Sequence, residues 1–82
     1  MSLSLFKNLF FERKTGMDVL LAYDGSDNLE YVGFAKAGTA SSAKGWSIIK
    51  LAYTGTLLTS VKYANGDPTN SHVWDDRAGY SY

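Results

Sequence analysis

Residue type limits the chemistry open to this chain before any fold is considered. His72 is the only histidine and there is no cysteine, so a thiolate nucleophile, a thiolate zinc site and a disulfide are all excluded. No glycine-flanked serine of the nucleophile-elbow type occurs either. His72, beside Val73 and Trp74, reads as a half-buried strand histidine. The carboxylates gather in two places. Asp24, Ser26, Asn28 and Glu30 alternate as in the opening of a calcium loop, but such a loop needs glycine at its sixth position and glutamate at its twelfth. Leu29 and Ala35 stand there, so the stretch reads as a polar hairpin turn. Asp75 and Asp76 are adjacent, and on an extended chain their side chains point to opposite sides. General acid–base work needs two carboxyls that converge. The expected role is an ion pair between one of them and Arg77, fixing a turn beside Trp74 and contributing about 1 kcal/mol or less.

Phosphate cradles are missing: the glycines at 33, 38, 45, 55, 66 and 79 fit neither a P-loop nor a dinucleotide fingerprint. Trp46, Lys50, Lys62 and Tyr63 interleave aromatic and basic groups in a way that suits stacking on a single strand. Eight basic and eight acidic residues cancel, however, leaving no net field to draw in a polyanion. No nucleic acid, membrane, metal or cofactor is expected as a partner, and no enzyme activity.

What must position these residues is small. Eighty-two residues make one domain, which buries only about 60–65% of the surface its unfolded chain exposes. Without disulfides, the remaining support for so thin a core is association. Twelve residues are aromatic, six of them tyrosine, and such residues favour strands and interfaces.

The chain divides into short apolar runs between turn clusters. Leu3–Lys14 is amphipathic: Leu3, Leu5, Phe6, Leu9 and Phe10 share a broad helical face, Lys7, Asn8 and Glu12 lie away from it, Phe11 falls on the far side and Arg13 intrudes. A short helix ending by Thr15-Gly16 is expected, docking on its own sheet or in a partner's groove. No basic leader or cleavage site marks a signal peptide there, and no run reaches the roughly 20 apolar residues of a membrane span. Met17–Tyr23 and Leu29–Ala35 read as a hairpin around Asp24–Asn28, and 36–45 as a loop.

A second hairpin joins Gly45–Tyr53 to Leu57–Ala64. A two-residue Thr54-Gly55 loop pairs Ile48 with Val61 and Trp46 with Tyr63. A three-residue loop pairs Ile49 with Val61 and Tyr53 with Leu57, and it is preferred because Ile49, Leu51, Val61 and Tyr63 then share one face opposite Lys50 and Lys62. Asn65-Gly66-Asp67-Pro68 is a turn, followed by two short strands, His72–Trp74 and Gly79–Tyr82.

From Tyr31 onward the chain resembles a family of small tailed-bacteriophage and prophage proteins. The resemblance is carried by Tyr31-Val32-Gly33, Ala35, Gly38, Ala40-Ser41-Ser42-Ala43, Trp46, Lys50, Tyr53-Thr54-Gly55, Thr59-Ser60-Val61, Tyr63-Ala64-Asn65-Gly66 and a terminal Val73-Trp74-Asp75-Asp76-Arg77-Ala78. It covers about the last fifty residues. It implies a phage setting, and it carries over no functional residue.

The expected architecture is mainly β: a small antiparallel β-sandwich or partly open barrel over 17–82, with a short helical docking segment at 1–15. The expected role is that of a phage structural protein, an accessory subunit of capsid, head-to-tail connector or tail, found in the virion and, during assembly, in the host cytoplasm. It is expected to form a homo-oligomer or to bind other phage structural proteins. Its expected contact residues are Leu3, Phe6, Phe10, Phe11, Trp74, Arg77, Tyr80 and Tyr82. The alternative is a binding module in which Trp46, Tyr63 and Trp74 form a stacking platform for a sugar, small ligand or single strand.

Overall fold

The computed structural model describes residues 16–82. The expected helix at Leu3–Lys14, and with it Leu3, Phe6, Phe10 and Phe11, lies outside the described residues.

Five strands, β1 (Met17–Tyr23), β2 (Leu29–Lys36), β3 (Lys44–Thr54), β4 (Leu57–Tyr63) and β5 (His72–Val73), form an antiparallel sheet in the order β1-β2-β3-β4, with β5 pairing on β3. The mainly β, antiparallel expectation holds. The sheet does not close into a barrel: β1 and β4 are its outer strands.

The turn clusters place the strands. In the β1–β2 hairpin the Asp24 carboxylate accepts the N–H groups of Ser26 at 2.8 Å and Asn28 at 3.0 Å, so the suspected calcium-loop carboxylate is occupied in holding its own turn. In the loop from β2 to β3, the Trp46 indole N–H donates to the Ala40 carbonyl at 3.0 Å, which ties the loop to the core residue that follows it.

The β3–β4 hairpin differs from both expected registers. Thr54 pairs with Leu57 and Tyr53 with Leu58, so the loop is Gly55-Thr56, with Gly55 in the left-handed region at φ 63°. A shift between Ala52 and Tyr53 then brings Leu51 opposite Val61, Lys50 opposite Lys62 and Ile49 opposite Tyr63. The bulge adds one residue on β4. The preferred face assignment survives because the net displacement from the expected pairing is two residues, which leaves side-chain parity unchanged.

The end of the chain is also corrected. His72–Val73 is a strand as expected, but Trp74–Gly79 forms a 3-10 helix and Gly79–Tyr82 is not a strand. Trp74 packs inward while Arg77 turns back over it, and that curvature leaves no extended run to pair.

Strand alternation makes two apolar clusters, one per face. The first holds Tyr31, Ala35, Trp46, Ile48, Ala64 and Trp74, with Leu20, Ala22, Tyr80 and Tyr82 packed against it. Here the residues after β4 cover the sheet. The second holds Val32, Phe34, Ile49 and Leu51, with Met17, Val19, Leu29, Tyr53 and Leu58 around them. Burying side chains such as Ile48 and Val32 completely contributes about 1.5–3 kcal/mol each.

Candidate functional site

The carboxy-terminal residues expected to meet a partner are instead largely tied to their own domain. Trp74 is buried, its ring centroid 6.1 Å from that of Trp46. The Arg77 guanidinium lies 4.6 Å from the Trp74 ring centre and 5.8 Å from that of Tyr31, and its Nη1 donates to the Trp74 carbonyl at 3.3 Å. This replaces the expected ion pair with Asp75 or Asp76. A cation over an indole face keeps its stem desolvated and its head wet. Asp75 instead accepts the Ser41 hydroxyl at 3.3 Å and donates its N–H to the Ser41 carbonyl at 3.1 Å, pinning the 3-10 helix to the β2–β3 loop.

Tyr80 and Tyr82 are half-buried. The Tyr80 hydroxyl accepts the Val73 N–H at 2.9 Å, and its ring stands edge-on to His72 at 4.9 Å. The Tyr82 hydroxyl donates to the Arg77 carbonyl at 2.8 Å. Burial, reinforced by Tyr31 and Tyr80 and opposed by Arg77, pushes the Tyr82 phenol up to about 12. Lys50 extends over both Tyr31 and Tyr82, 5.6 and 5.7 Å from their ring centres.

His72 lies in a strand as expected, but it is buried rather than half-buried. Its Nε2 stands 4.0 Å from an Asp67 carboxylate oxygen, and among the described residues its Nδ1 has no hydrogen-bond partner. Among the described residues no three potential ligands converge on a metal position, and no helix is long and apolar enough to cross a membrane.

The stacking platform is not assembled. Trp46 and Trp74 are core residues with no ring face open to a ligand, and only Tyr63 of the three is exposed. Both indoles fall on the first cluster's face, whereas Tyr63, opposite Ile49, falls on the other.

A different surface is available, and the sequence did not single it out. Among the described residues, the exposed large apolar ones are Leu21, Tyr23, Leu57, Val61 and Tyr63. Leu21 pairs with Val32, Tyr23 with Leu29, Val61 with Leu51 and Tyr63 with Ile49. Directly paired residues share a face, so four of these five lie on the side of the second cluster. They occupy both outer strands, where an apolar rim is open to solvent. Alternation in β4 indicated that Val61 and Tyr63 face the same way as Ile49 and Leu51. That β4 is an outer strand, which leaves them uncovered, depends on the order of strands in the sheet.

No known protein family, curated protein or solved structure matches this chain.

Proposed function

We propose that this protein is a structural subunit of a bacteriophage particle, an accessory component of capsid, head-to-tail connector or tail that acts through protein–protein contact. The phage setting rests on the sequence resemblance from Tyr31 onward. The contact mode rests on one observation: Leu21, Tyr23, Val61 and Tyr63 are exposed on a single face, at the outer strands of an open sheet. Apolar residues collected on one face, rather than scattered, mark an interaction surface. Open outer strands add unpaired backbone groups along the same margin. The partner is a second copy of this chain or another protein of the particle, and the contact residues are this rim rather than Trp74.

Two measurements test the reading. Mass spectrometry of purified particles finds the chain as a stoichiometric component; its absence overturns the phage assignment. Light scattering finds the isolated chain as a multimer, or finds a mixture with its particle partner as a complex. A monomer that binds a small ligand, with a change in tryptophan fluorescence, overturns the contact role.

A further inference from the structure

Lys50 and Lys62 stand directly opposite each other on β3 and β4, in a row across the sheet that runs Ala22, Tyr31, Lys50, Lys62. Ala22 and Tyr31 belong to the first cluster or pack against it, so both lysines rise on that face, away from Val61 and Tyr63. Directly opposed residues of an antiparallel pair have Cβ atoms about 4.5–5.5 Å apart, and like charges in that relation destabilise the pair. Four of the chain's carboxylates are engaged elsewhere. Asp18 accepts the Gly38 N–H at 2.9 Å and Asp24 holds the β1–β2 turn. Asp67 accepts the Thr69 N–H at 2.9 Å, and Asp75 accepts the Ser41 hydroxyl at 3.3 Å.

Lys50 is also held in place. Its Nζ lies 5.6 Å from the ring centre of Tyr31 and 5.7 Å from that of Tyr82, and those two rings meet edge-on at 5.7 Å. The Tyr82 hydroxyl is bound to the Arg77 carbonyl, which fixes the ring and with it the ammonium alongside. The Arg77 guanidinium lies 5.8 Å from the same Tyr31 ring centre, so a further positive charge borders that ring. Beside the two lysines opens a cleft of about 160 Å³, lined by Lys50, Ala52, Ser60, Lys62 and Tyr82. Sites for drug-sized ligands enclose about 300–1,000 Å³. This cleft takes one chemical group and not a whole metabolite.

We infer that this cleft seats a single compact oxyanion, a carboxylate or phosphate group, received by the ammonium groups of Lys50 and Lys62 with the Ser60 hydroxyl as a neutral donor. An anion placed there turns one repulsion into two attractions, and charge-assisted hydrogen bonds are roughly twice as strong as neutral ones. Each lysine brings three donors on a flexible stem, so both can converge on one group. Tyr82 and Ala52 supply an apolar wall, which lowers the local dielectric and strengthens the pull of both charges. Eight basic and eight acidic residues leave no long-range field for a polyanion. The charges therefore support a local seat for one group and not a track for a nucleic-acid strand. The seat lies on the face opposite the apolar rim and does not depend on the proposed role in a particle. An aspartate or glutamate of a partner protein and free phosphate offer it the same chemistry.

The test titrates the full isotope-labelled chain at low ionic strength, where surface charges are least screened. One arm uses inorganic phosphate and the other a capped Gly-Glu-Gly peptide. Nuclear magnetic resonances of Lys50, Ser60 and Lys62 are expected to move together and to saturate in at least one arm. Saturation with phosphate assigns the seat to a free oxyanion, and saturation with the peptide alone assigns it to a protein carboxylate. Lys62→Gln, at an exposed position, leaves the melting midpoint within about 2 °C and weakens binding by about tenfold. Lys62→Glu sets an opposite charge against Lys50, so it raises the melting midpoint by about 2–6 °C and abolishes binding. Shifts that never saturate in either arm, shifts of equal size at Lys36 and Lys44, or an unweakened affinity in Lys62→Gln overturn the inference.

Discussion

The indole of Trp74 lies against the backbone of Gly33: a Cβ at residue 33 would stand 2.5 Å from Trp74 Cε3 and 2.8 Å from Cζ3, and 3.1 Å from Trp46 Cε3. Glycine is required here for space. The hydrogen atoms of Gly33 let two tryptophans occupy one hollow in the middle of β2. Gly33→Ala is therefore expected to displace Trp74 from the first cluster and to cost about 1–3 kcal/mol. Urea unfolding reads the loss, and near-ultraviolet circular dichroism reads the repacked indoles. An unchanged urea midpoint would show that Trp74 is not held there.

The end of the chain is fastened by a reciprocal pair. The Asn65 N–H donates to the Ser81 carbonyl at 2.7 Å, and the Ser81 N–H donates to the Asn65 side-chain oxygen at 3.0 Å. Asn65 sits at φ 54°, in the left-handed region where asparagine is tolerated and alanine is strained. Asn65→Ala loses both the side-chain acceptor and the backbone preference, a cost of about 1–2 kcal/mol. Asn65→Gly restores the backbone term alone. Hydrogen exchange at Ser81 is expected to accelerate in both variants, and thermal stability to fall further in the alanine one.

Tyr82 supplies an alkaline signature. Its phenol is pushed up to about 12 by burial first, then by Tyr31 and Tyr80. The unfolded phenol titrates near pH 10, so the folded state favours the neutral form. Its contribution to stability is complete below about pH 10 and is lost as the pH rises from there toward 12. Tyrosinate absorbance is expected to include one late step, missing in Tyr82→Phe. If Tyr82→Phe leaves the alkaline titration unchanged, the phenol is not buried against Arg77 and Tyr31.

Asp67 supplies the acid counterpart. Its carboxyl is held below the ordinary carboxylate value, chiefly by the Thr69 N–H at 2.9 Å, with help from the hydroxyls of Thr69 and Ser71 and from His72 and with desolvation opposing. A depressed value stabilises the fold above about pH 4 and is lost as the pH falls below it. Asp67→Asn is expected to be less stable than the parent at pH 6, with the gap closing by pH 2. Stability curves at the two pH values decide this.

The apolar rim should be separable from the core. Val61 is 51% exposed opposite the buried Leu51, and Val61→Thr keeps the β-branched shape a strand prefers. Stability is expected to change by less than about 0.5 kcal/mol, while association of the chain with itself or its partner weakens. Unaltered association, measured by sedimentation, would move the contact away from this rim.

The strands and the character of the turns were legible in the order of residues. β-branched and aromatic runs between Asp24–Asn28, Gly55 and Asn65–Pro68 were enough to place β1 to β4, since turn chemistry and alternation are local properties. That order also showed which residues of the second hairpin share a face, since alternation survives a two-residue displacement. The register itself was set by packing between strands, because the bulge on β4 follows from how the strand fits its partner. Packing likewise decided the fate of the aromatics. Trp74, Tyr80 and Tyr82 look alike in sequence to Tyr23 and Tyr63, yet Gly33, Arg77 and His72 give the first three their place inside the fold. Strand order leaves the other two in the open. Burial depends on what lies above a side chain, and that neighbour can come from any distance along the chain.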